Sequence, residues 1–77
     1  PSVVETSISF SMKNQGHATI KLYDSVGKAV AILFDKNVGA GIRSIHLSTL
    51  KYPQGIYFYQ MTLNEKVIAT KRMIILN

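Results

Sequence analysis

The chain has no cysteine, so no disulfide staples it and no thiolate is available as a nucleophile or metal ligand. Carboxylates are almost as scarce: Glu5, Asp24, Asp35 and Glu65 are the only four in 77 residues. Each falls at a strand end or a turn, and none forms an obvious pair for acid–base work. No apolar run approaches the roughly 18 residues that a membrane-spanning helix needs. No stretch carries a 3.6-residue apolar period, nothing repeats internally, and there is no Asn-x-Ser/Thr acceptor. The chain opens at Pro1 with no initiator methionine and no basic-then-apolar leader. It reads as a fragment whose own targeting signal lies upstream or was never part of this stretch.

What remains is a small globular domain. A chain of this length buries only about 60% of its unfolded surface, so its core is barely sufficient. The apolar fraction of 47% and charged fraction of 17% argue against disorder. The net charge of +5 raises the question of nucleic acid. However, Lys13, Lys21, Lys28, Lys36, Arg43, Lys51 and Lys66 are spread nearly evenly, and only Lys71 and Arg72 are adjacent. A nucleic-acid footprint concentrates its basic residues on one element, whereas scattered lysines blunt sheet edges and keep a β protein soluble.

Period-2 alternation dominates the pattern. Ile8, Phe10 and Met12 share one face of a strand whose other face is Ser7, Ser9 and Ser11. After Asn14-Gln15-Gly16, Ala18, Ile20 and Leu22 face inward, opposite Thr19, Lys21 and Tyr23. Asp24-Ser25-Val26-Gly27 has the residues of a type I turn. Lys28 to Asp35 continues as a strand whose alternation slips between Val30 and Leu33, which predicts a bulge bringing both side chains to the core. Lys36 to Gly41 reads as a loop, and Ile45 and Leu47 point inward from the next strand. Ser48 to Lys51 is irregular enough to be a crossing between sheets. Tyr52-Pro53-Gln54-Gly55 is a turn, and Asn64-Glu65-Lys66 joins two strands as a hairpin.

Tyr57, Tyr59 and Met61 share one face of the fifth strand, with Ile56 and Phe58 on the other, which predicts cover on both sides. Tyr57 and Tyr59 are core residues on this pattern, and Phe58 is the better candidate for an exposed contact. The expectation is an all-β, Ig-like antiparallel sandwich of about seven strands. Its shared core is expected to hold Ile20, Leu22, Leu33, Ile45, Leu47, Tyr57, Tyr59 and Met61. First and last strands are expected to be edges, open to weak self-association by strand addition or exchange.

Chemistry is hard to find. His17 and His46 lie far apart on separate strands, and without cysteine a zinc site needs both plus carboxylates. Ser48 and Thr49 lack a glycine elbow or a nearby histidine. Gly39-Ala40-Gly41 lacks the further residues of a phosphate loop. No catalytic residue, metal or cofactor is expected.

Several segments recur together, in order, in one family. They are Ile8-x-Phe10-x-Met12, Ile20-Lys21-Leu22-Tyr23-Asp24-x-x-Gly27-Lys28-x-Val30 and Gly41-x-x-x-Ile45-x-Leu47. Pro53-x-Gly55-Ile56-Tyr57-Phe58-Tyr59 and Thr70-Lys71-Arg72-Met73-Ile74-Ile75 complete the series. The chain resembles the type A C-terminal sorting domain of the type IX (Por) secretion system of Bacteroidetes, over essentially all 77 residues. Pro1-Ser2 suits the start of that domain. Ser48-Thr49-Leu50, Tyr52-Pro53-Gln54 and the final Asn77 depart from its common forms.

The resemblance implies a single sorting domain over residues 1–77, carried at the C-terminus of a larger cargo. Such a domain directs its cargo from the periplasm through an outer-membrane translocon to the cell surface or extracellular space. A sortase-like protease commonly removes it and joins the cargo to anionic lipopolysaccharide. By the same resemblance Gly27, Gly55, Tyr57, Lys71 and Arg72 are the candidate recognition residues. Folding alone gives other reasons for Gly27, Gly55 and Tyr57: a closed turn, a positive φ and a core ring. Two other readings stay open: an Ig-like adhesion or spacer module, and an Ig-like structural domain of the flagellar hook-capping kind.

Overall fold

The computed structural model describes residues 5–76. The Pro1–Ser2 start and Asn77 lie outside the described residues. Six strands form two sheets: β1 (Glu5–Met12), β2 (Gly16–Asp24), β3 (Ala29–Val38), β4 (Gly41–Ser48), β5 (Gly55–Leu63) and β6 (Lys66–Ile75). β1 pairs with β4 in a small sheet, and the large sheet runs β3-β2-β5-β6, with every pairing antiparallel. The sandwich is therefore six-stranded rather than seven-stranded. The chain between β4 and β5 makes a single 3-10 turn, Thr49–Lys51, on its way back to the large sheet.

The core lies where the alternation places it. Ile8, Phe10 and Met12 of β1 pack on Ala18 and Ile20 of β2 and Met61 of β5. A second cluster, Leu22, Tyr57 and Ile75, sits toward the other end of the large sheet, with Tyr52 and Met73 against it. Leu33, Ile45 and Tyr59 pack on these clusters while only half-buried. Phe10 and Phe34 meet edge to face, ring centres 5.6 Å apart. Ile20 and Leu22 are fully buried on the central strand. Truncating either to alanine costs roughly 2–5 kcal/mol, a large share of what so small a domain has.

Three sequence expectations change. β3 carries two register shifts against β2, one at Leu33 and one at Val30. The first turns Leu33 inward, but the second leaves Val30 facing solvent, so only one of the two reaches the core. β3 also runs on to Val38, because Asp35 and Asn37 stand opposite β2 and bond its His17; the loop shrinks to Gly39 and Ala40. Finally, β5 is covered on one side only. The small sheet lies over the inner face of the large sheet, and no described residue covers Ile56 on the outer face.

Turn chemistry fixes the register. Asp24 O accepts from Gly27 N–H at 3.0 Å, and Asp24 Oδ1 accepts from the N–H groups of Val26 and Lys28. Gly27 then takes φ 87°, which closes a type I turn into a bulged hairpin. Asn64 and Glu65 both have positive φ, 50° and 70°, the geometry of a two-residue type I′ hairpin.

Candidate functional site: one end and the outer face of the large sheet

Register brings the marked residues toward one end of the large sheet. Asp24, which opens the Gly27 turn, pairs with Tyr57, and Gly55 pairs with Ile75. Gly27, Gly55 and Tyr57 thus lie toward the same end of the large sheet, Gly27 in the β2–β3 turn and Gly55 and Tyr57 at the start of β5. Tyr57 is buried, and its hydroxyl donates to Pro53 O at 2.6 Å. That is the geometry of a tyrosine corner, which pins the chain as it enters a sandwich strand. Gly55, at φ 154°, gives the corner a conformation that L side chains rarely adopt. Tyr52 meets the Tyr57 ring edge to face, with centres 6.2 Å apart. Pro53, Gly55 and Tyr57 are one device, and its visible work is to shape the sheet end.

Lys71 and Arg72 do not form one patch. Lys71 stands in register with Tyr59 on the inner side of the large sheet, exposed because β6 is an edge strand. Arg72 stands in register with Phe58 on the outer side. Adjacent strand residues point to opposite faces, so a flat partner on one face meets only one of the two.

The outer face also holds residues that linear reading did not connect. Tyr23, Phe58 and Arg72 form a row across β2, β5 and β6, with Ile56 beside Ile74 on one flank. Toward the other end, the hydroxyls of Thr19 and Thr62 bond each other across the strands. There His17 Nδ1 lies 2.8 Å from Asn37 Oδ1, and Nε2 lies 2.5 Å from Asp35 Oδ1. Both ring nitrogens face oxygens, which suits the doubly donating imidazolium. The bond to Asn37, then that to Asp35, hold the His17 pKa above its ordinary value. The signal was the spacing of Asp35 and Asn37, readable only once the hairpin register is known. No group of three or more metal-ligating side chains occurs among the described residues.

These elements make a small all-β sandwich with ordered turns and a corner pinned by Tyr57. The chain belongs to the family of secretion-system C-terminal sorting domains: the family model matches residues 1–76, essentially its whole length. The family's role is that of a sorting signal for type IX secretion, and nothing found favours the spacer or hook-capping readings. Comparison with curated proteins and with solved structures returned no match.

Proposed function

We propose that the folded sandwich is the export address of a larger cargo, read in the periplasm by the type IX outer-membrane translocon. The cargo then emerges at the cell surface or in the extracellular space, where a sortase-like protease removes the domain. The observation that carries this reading is the extent of the family match, residues 1–76, which takes in all six strands. The unit read by the machinery is therefore the folded domain, and it contributes surface rather than reactive groups. Gly27, Gly55 and Tyr57 serve recognition indirectly by shaping the sheet end, Arg72 supplies an exposed positive charge on the outer face, and the Lys71 charge on the other side of the edge strand stays in solvent. The edges at β1, β3, β4 and β6 also support weak self-association by strand addition.

The test is a reporter fused ahead of this chain and expressed in a host with the type IX system. Surface reporter should have lost the mass of the domain, 8.6 kDa, and should retain it when the host lacks the sortase-like protease. Surface reporter that keeps the domain in both hosts would remove the protease from the reading. Reporter confined to the periplasm would contradict the sorting role.

A further inference from the structure

The outer face of the large sheet is graded from one end to the other. Ile56 and Ile74 lie at one end, followed by Tyr23, Phe58 and Arg72 in register, then Ile32, Lys21, Gln60 and Thr70. Beyond them come the polar Thr19–Thr62 pair and the His17 cluster, with Val67 in register with Thr62 at the β6 edge. Ile56, Ile74 and Ile32 are 44%, 55% and 64% exposed, high for isoleucine on a sheet face. The β3 irregularity contributes Val30, which with Tyr23, Ile32 and Lys21 lines a shallow groove. The charges in these apolar rows are Arg72 and Lys21, both positive. The nearby Asp24 carboxylate is already engaged by two backbone N–H groups.

We propose that the apolar, basic end of this face is a docking surface for a protein that presents an apolar depression rimmed by carboxylates. The inference rests on the sorting reading and deepens it by assigning the face that the machinery contacts. Aromatic rings and an arginine at the centre, with aliphatic side chains around them, are what buried interface centres are enriched in. An anionic lipid surface instead selects clusters of several lysines and arginines, and these rows contain only Lys21 and Arg72. A second copy fits poorly, because face-to-face stacking sets Arg72 and Lys21 of two chains, each of net charge +5, against one another. Lys71, on the other side of the sheet, takes no part.

Arg72→Glu and Ile32→Glu alter two exposed positions on different strands of the face, so both failing to fold is not expected. Each is fused to a reporter beside wild type, Lys71→Glu, and Lys13→Glu in the β1–β2 turn. Circular dichroism and thermal melting establish which variants fold. Folded Arg72→Glu and Ile32→Glu should lower surface reporter at least tenfold, while Lys13→Glu and Lys71→Glu stay within twofold of wild type. Export of both folded face variants at the wild-type level would overturn the proposal. So would a loss in Lys71→Glu equal to that in Arg72→Glu, which would mean that charge rather than face is read. Binding of the 77-residue chain to phosphatidylglycerol vesicles, abolished by Arg72→Glu, would also overturn it by assigning the face to lipid. Concentration-dependent dimers abolished by Ile32→Glu would assign it to a second copy. Failure of the wild-type domain to export any reporter is a separate result and sinks the sorting reading itself.

Discussion

At the scale of single residues, the instructive cases are those where a side chain does something its type does not announce. His17 sits on an ordinary alternating strand, yet Asn37 and Asp35 present oxygens to both of its ring nitrogens. Its pKa is raised, so its favourable contribution to folding is fully present below about pH 6.5. That contribution fades as pH rises through the raised folded value. An NMR titration should place the His17 midpoint above that of His17 in the denatured chain, and Asn37→Ala should bring it down. Coincident midpoints would show that the cluster does not hold the proton. Glu65 is a second case. It holds φ 70° where an L residue is strained, and type I′ turns favour glycine there. Glu65→Gly should raise stability by about 0.5 kcal/mol, the relief of strain exceeding the added chain entropy, as read by urea denaturation. A lower midpoint in urea would contradict the turn assignment.

Whole elements were legible where alternation was strict and illegible where neighbours decide. β1, β2 and β5 follow their apolar pattern because each buries one face, and a one-residue slip would expose the entire set. The length of β3 could not be read in this way. Lys36 and Asn37 look like loop residues until His17 stands opposite them. The irregular Ser48–Lys51 segment was visible as a crossing, and the structure bears that out, with Thr49–Lys51 wound into a 3-10 turn between the two sheets. The Pro53–Tyr57 motif was visible as a string. Its mechanism required the bond from the Tyr57 hydroxyl to Pro53 O. Tyr57→Phe keeps the buried ring and removes that bond. It should cost about 0.5–1.5 kcal/mol in thermal or chemical unfolding and leave the spectrum of the fold unchanged. A neutral Tyr57→Phe would mean that the corner is held by ring packing alone.

On the scale of the molecule, the sequence suggested a fold covered on both sides of β5, and the structure covers only one. Alternation reports which residues share a face but not whether anything lies over it, so Ile56 and Phe58 could not reveal an open face on their own. The same limit hid the separation of Lys71 from Arg72, which look like a pair in the chain and sit on opposite sides of the sheet. What the whole fold provides is a sandwich with a pinned end, an outer face carrying exposed isoleucines, and sheet edges at β1, β3, β4 and β6. If the sorting reading holds, this sandwich alone suffices to send a protein across the outer membrane by the type IX route. The most direct measurement is the surface fraction of a reporter carrying the 77-residue domain, compared between a host with an intact translocon and the same host lacking it. Surface reporter is expected in the first host and periplasmic retention in the second. Equal surface fractions in the two hosts, or retention in both, would contradict the sorting reading.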